Sequence, residues 1–110
     1  MIKMIALVKK RSDLTFLEFQ DYWLHVHTTF SAQIPGIRAY RINVALEHRD
    51  LSAAPYDGTA EIWWDSVDTM HQGMRSAENA VAGPDTANFA AEVVFLVTEE
   101  HIIVQGDLHG

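Results

Sequence analysis

His27, Glu61 and His48 are the side chains whose type and placement could carry acid–base chemistry. His27 follows Trp23 by four residues and precedes Phe30 by three, so on a helix all three share a stripe. A histidine held in a partly apolar pocket titrates near neutral pH and can act as a general base. The same placement also suits a core histidine that only satisfies a neighbouring polar group. Glu61 lies between Ala60 and Ile62 in an apolar run, where charge is disfavoured. Facing a cavity, it can orient a histidine or accept a proton; facing a neighbouring strand, it can pair with Arg38 or Arg41. His48 sits on the longest loop, where pocket residues concentrate, although a solvated surface histidine fits that position too. Trp23, Phe30, Tyr40 and Trp63 are the aromatic candidates for enclosing a ligand, and equally for core or interface.

Metal chemistry has little support. The chain has no cysteine and six histidines, none at ligand spacing. His25 and His27 are two residues apart and face opposite sides of a helix, so they cannot chelate one ion. Glycine-rich phosphate loops, a nucleophile elbow and the H-E-x-x-H motif are all missing.

The elements that must position these residues can be read from periodicity. Ile2 to Lys9 is a strand, followed by Thr15 and Glu18 in a capping box. Phe16, Phe19, Trp23, Val26, His27, Phe30 and Ile34 then form the apolar stripe of a helix that ends at Pro35-Gly36. Ile37 to Leu46 and Gly58 to Trp64 are strands, separated by the polar 47–56 loop. Asp65 or Ser66 caps a second helix whose inner face carries Val67, Met70 and Met74. The pattern weakens from Ser76 to Ala91, with a helix break expected at Gly83-Pro84. Val93 to Val104 supplies the last strand, bent near Glu99-Glu100, and residues 105–110 form a loose tail.

The order β-α-β-β-α-β is the ferredoxin-like arrangement, an α+β fold with a four-stranded antiparallel sheet in one domain spanning 1–110. Right-handed crossovers place the first and last strands side by side, bringing the basic end of the first towards Glu99-Glu100. Adjacent Trp63 and Trp64 must point to opposite sheet faces. The first two strands are apolar on both faces, so the face without helices is expected to pack against a second copy.

With 110 residues and 48% apolar content, the chain can bury one core without a staple. Its net charge of −7 disfavours nucleic acid, and four of its eight basic residues precede Ser12. No stretch is long and apolar enough for a membrane span or shaped like a secretory signal. The reading is of a cytosolic protein that begins in its first strand.

The segments Ile2-Lys3 to Lys9-Lys10, Phe19 to Trp23, Val26-His27 and Pro35 to Tyr40 together resemble the EthD-like family, named for ethyl tert-butyl ether degradation. Tyr56-Asp57-Gly58, Ala60 to Ser66 and Thr98 to His101 continue the likeness, which is weakest over 47–54 and 76–92. The resemblance implies a dimeric α+β barrel of ferredoxin-like subunits and a pocket between sheet and first helix, with His27 at the family's helix-histidine position. Relatives in the wider superfamily include lactone isomerases, polyketide cyclases and cofactor-free monooxygenases. The chain departs from the cysteine-bearing isomerase pattern.

The expectation is therefore a cofactor-independent enzyme acting on an apolar carbonyl, lactone or aromatic catabolite, by proton transfer, isomerisation or oxidation. His27 would move the proton, with Glu61 or His48 orienting it. The alternatives are a binding or accessory protein for an oxygenase system such as ether degradation, and a purely structural module.

Overall fold

The computed structural model describes residues 1–46 and 54–108. Four strands, β1 (Ile2–Lys10), β2 (Ala39–Val44), β3 (Gly58–Trp64) and β4 (Ala90–Glu99), form one sheet in the order β2-β3-β1-β4. Every neighbouring pair is antiparallel. Helices α1 (Phe16–Tyr22), α2 (Thr28–Ser31), α3 (Val67–Met74) and α4 (Ala77–Asp85) occupy the chain between strands. This is the expected α+β ferredoxin-like fold.

Period-two alternation divides the sheet. Met4, Ala6 and Val8 of β1 and Gly58, Ala60, Ile62 and Trp64 of β3 are buried, as one face packs under the helices. Their alternates Lys3, Ile5, Leu7, Thr59, Glu61 and Trp63 occupy the outer face, in register across the two strands. Gly58 has no room for a side chain: a Cβ there would meet Trp23 Cζ3 at 2.5 Å and Asn43 O at 2.6 Å.

The first helical run is not uniform. The capping box at Thr15 forms as expected, Thr15 Oγ1 accepting from Glu18 N while Glu18 Oε1 accepts from Thr15 N. Between α1 and α2, however, Trp23–His27 form a π-helical turn. Such a turn advances less per residue than an α-helix, so it resets the buried stripe. Phe19, Trp23, His27, Ser31 and Ile34 point inward, whereas Val26 and Phe30 are each 37% exposed. The stripe expected for a continuous α-helix is corrected at those two positions. Regular helix also ends at Ser31, before Pro35, and Gly36 turns the chain at φ +89°.

Two further expectations change. The α4 helix runs through Gly83 and Pro84 and ends at Asp85, one residue beyond the proline. Pro84 falls in the last turn, where its fixed φ still suits the helix; it has no N–H to donate to the carbonyl four residues back, so it removes one helical bond without ending the helix there. The chain then tightens into a 3₁₀ turn, Thr86–Asn88. In α3, Ser66 is the cap and Met70 is buried, but Val67 is 44% exposed rather than inward.

The last strand starts earlier and stops earlier than expected, at Glu99. It does lie beside β1, but the antiparallel register sets Lys9 opposite Glu92 and Ile2 opposite Glu99. Glu100 accordingly meets Lys3, at 3.0 Å, and not the Lys9-Lys10 end. Residues 100–108 form neither helix nor strand and are exposed. Among the described residues, no helix is long and apolar enough to cross a membrane.

Candidate active site

Between the inner sheet face and the helices lies a cavity of about 340 Å³. Its walls are mostly apolar side chains of β1, β3 and β4 together with Trp23 and Phe89, and a few polar groups reach it. That is the usual make-up of a small-molecule site.

His27 lines this cavity and is 8% exposed. It closes the π-helical turn that begins at the buried Trp23, four residues before it. Its ring packs at a tilt on Phe89, with centroids 4.8 Å apart. Its Nδ1 lies 2.9 Å from Asp85 Oδ2.

Asp85 gathers three partners. Tyr22 Oη donates to Oδ1 at 2.6 Å, and Asn88 Nδ2 donates to the same oxygen at 3.0 Å. Asn88 Nδ2 also lies 3.2 Å from Tyr22 Oη. Burial is the largest single influence on Asp85 and favours its neutral form. The bonds from Tyr22, His27 and Asn88 together outweigh it and hold the carboxyl below its ordinary value. The same contact pushes the Tyr22 phenol up, chiefly through its bond to Asp85 and then through burial. A carboxylate at the C-terminal end of α4 also opposes the helix dipole, which costs roughly 0.3–1 kcal/mol. Asp85 is therefore held in place by its bonds rather than by its helix.

An ionised carboxylate only accepts, so His27 Nδ1 must carry the proton in this contact. A neutral His27 then has its lone pair at Nε2, which has no hydrogen-bond partner among the described residues. Trp64 Nε1 is the one fully buried side-chain polar atom left without a partner there. His27 Nε2 is thus not sealed in the core, and the residue lines the cavity. Chemically, the arrangement is a base whose tautomer and orientation are fixed from behind.

The other sequence candidates separate. Trp23 and Tyr40 line the cavity. Tyr40 Oη lies 2.9 Å from Ser31 Oγ, and burial holds the Tyr40 phenol up, with the Ser31 bond opposing. Phe30 faces a shallow groove with Glu78 and Val81 instead. Glu61 and Trp63 are on the outer sheet face, because Ile62 and Trp64 claim the inner one. Neither Arg38 nor Arg41 supplies the ion pair of Glu61: Lys3 Nζ lies 2.8 Å from it and 4.6 Å from the Trp63 ring centroid. Arg38 instead reaches Asp65, at 3.3 Å. Glu61 therefore does not orient His27. His48 lies outside the described residues.

Sequence reasoning did not select Asp85, Tyr22, Asn88 or Ser31. Tyr22 follows Phe19 by three residues, a spacing that could have placed it on the stripe's edge. Asp85 gave no such cue, since it ends a Gly-Pro-Asp stretch with no readable periodicity. Among the described residues, no group of histidines and carboxylates could hold a metal ion.

A model of the EthD domain matches residues 11–92, which include the whole Tyr22–His27–Asp85–Asn88 cluster. The chain belongs to the EthD family. Among solved structures, it is similar to an ethyl tert-butyl ether degradation (EthD) family protein from Bacillus halodurans C-125. That match has 24% identity and a TM-score of 0.78, covering 92% of this chain and 99% of the other. A dimeric ferredoxin-like protein of unknown function from Thermobifida fusca YX matches at 21% identity and TM-score 0.71, over 88% of each chain. A variant of SnoaB, a cofactor-independent oxygenase from Streptomyces nogalater, matches at 12% identity and TM-score 0.61. Coverage there is 94% of this chain and 97% of the other. At these identities the likeness shows the fold of this EthD protein. Nothing among curated proteins matches the chain.

Proposed function

We propose that this EthD protein is a cofactor-independent enzyme acting on an apolar carbonyl, lactone or aromatic catabolite, with His27 as general base. The observation that carries this reading is the His27 Nδ1–Asp85 contact at 2.9 Å behind a cavity-lining ring. A substrate C–H or O–H proton passes to Nε2, leaving its electron pair on the substrate. Asp85 is the positioning residue: it fixes the ring and stabilises the imidazolium that forms. The electron pair then recaptures a proton elsewhere, giving isomerisation, or passes to dioxygen, giving oxidation. A fold shared with SnoaB supports including the second route, without choosing it.

A binding or accessory role for an oxygenase system uses the same cavity and needs no proton transfer. Turnover separates the two. With a substrate identified by screening apolar ketones, lactones and phenols, His27→Ala should lose nearly all activity. Full activity in that variant would refute the assignment.

The homodimer belongs to the same proposal. On the outer face, Ile5 and Leu7 of β1 pair in register with Leu96 and Val94 of β4, and Leu96 is 49% exposed. Burying such a surface against a second copy is favourable. Solved proteins of this fold are described as dimeric. A solution mass of two chains is expected by light scattering; one chain at micromolar concentration would contradict it.

A further inference from the structure

The Ser31–Tyr40 contact leaves a hydrogen bond unspent. Two hydroxyls carry two O–H donors, and their mutual bond at 2.9 Å uses one of them. Neither hydroxyl has another hydrogen-bond partner among the described residues, Ser31 is only 5% exposed, and both residues line the cavity. Whichever oxygen donates within the pair, one O–H remains for whatever occupies the space. Ser31 follows His27 by four residues, about 6 Å along the helical run, so donor and base stand about one turn apart. Burial keeps the Tyr40 phenol protonated, so the pair remains a donor at neutral pH.

Charge narrows the occupant further. Among the described residues no lysine or arginine lines the cavity, and the positive charge His27 acquires on protonation is matched by Asp85 behind it. An anionic ligand would be desolvated there with no countercharge from those residues.

We infer that the Ser31–Tyr40 pair is a second polar pole of the site, donating to a carbonyl-type oxygen of an uncharged ligand whose donor group faces His27. This rests on the proposed use of His27 as acceptor, but it concerns binding and specificity rather than turnover. Where the proton lost to His27 is the C–H beside that carbonyl, the electron pair moves onto the carbonyl oxygen, and the same O–H would hold the enolate oxygen so formed. The pair therefore selects neutral hydroxy-ketones and related enolisable carbonyl compounds over carboxylates.

The test is a binding comparison at neutral pH with three defined probes. 7-Hydroxy-1-tetralone has both poles, 5,6,7,8-tetrahydro-2-naphthol lacks the carbonyl, and 7-hydroxy-1-naphthoate replaces it with an anion. The wild type should prefer the ketone to the tetrahydronaphthol by about 3–10-fold, the worth of one neutral hydrogen bond. It should bind the naphthoate at least about 10-fold more weakly than the ketone, since a buried unpaired charge costs more than that bond. Either Ser31→Ala or Tyr40→Phe alone leaves one O–H and should keep part of the ketone preference. The double variant should lose it, with tetrahydronaphthol affinity unchanged.

A preference that survives the double variant overturns the inference. So does naphthoate binding as tight as the ketone, or failure of the wild type to bind either neutral probe. The wild-type comparisons need no variant to fold. Ketone preference lost only in the double variant, in a protein that turns nothing over, would uphold the second pole and overturn the general-base reading instead.

Discussion

On each side of the sheet a basic side chain closely meets a carboxylate, and only one of these contacts is suited to chemistry. Outside, Lys3 meets Glu61 at 2.8 Å; inside, His27 meets Asp85 at 2.9 Å. Distance does not distinguish them. Lys3 spends its charge on Glu61 and Glu100 and lies beside the Trp63 ring. His27 spends one ring nitrogen on Asp85 and keeps the other at a mostly apolar cavity. The lesson is that a base–carboxylate pair becomes a candidate site when one member retains an unused donor or acceptor facing enclosed space.

This contrast can be broken at several points. The largest effect should come from His27→Ala, which removes the base: kcat on any substrate turned over should fall about 10²–10⁴-fold. Glu61→Gln should leave kcat unchanged, so comparable losses in the two variants would erase the distinction between faces. Next, Asp85→Asn should cost about 2 kcal/mol in chemical denaturation, because the amide presents donors to groups that already donate. An unchanged midpoint would mean that the Tyr22–His27–Asn88 cluster is not held by charge.

The pH dependence should differ in sign between the faces. Asp85 is held below 3.8 in the folded state, so its contribution is present above that value and lost as pH falls through the lowered one. The stability gap between wild type and Asp85→Asn should therefore hold at neutral pH and close only in strong acid. Lys3 behaves in the opposite sense. Burial works against its charge, but the bonds and charges of Glu61 and Glu100 prevail and raise it above 10.5. Its contribution persists below that value and fades as pH rises through the raised one. Melting temperatures of wild type and Lys3→Met across the alkaline range check this. The smallest effect belongs to Glu61→Gln on stability, about 0–1 kcal/mol, as for most ion pairs near a surface.

Much of this architecture was legible beforehand, for definite reasons. The strands were legible as short apolar runs between polar breaks, and the Thr15–Glu18 box is a local motif that needs no tertiary context. His27 could be aimed inward because Trp23 lies one turn away. Phe30 could not be placed correctly, since the π-helical turn that rotates it outward has no periodicity of its own. Glu61 was misleading because an isolated strand pattern states that two faces exist, not which one the helices cover. Asp85 was invisible for a different reason. It meets His27 across 58 residues, at the end of a helix whose Gly-Pro pair reads as a break.

The central claim is that Asp85 fixes His27 with its proton on Nδ1 and its lone pair at the cavity. Nitrogen NMR of the uniformly ¹⁵N-labelled protein, read on the neutral imidazole, tests this without any substrate. The expected spectrum shows His27 protonated at Nδ1, with Nε2 shifted as an unprotonated acceptor. A neutral His27 carrying its proton on Nε2 would contradict the account, because the nitrogen facing the cavity would then be a donor and no base.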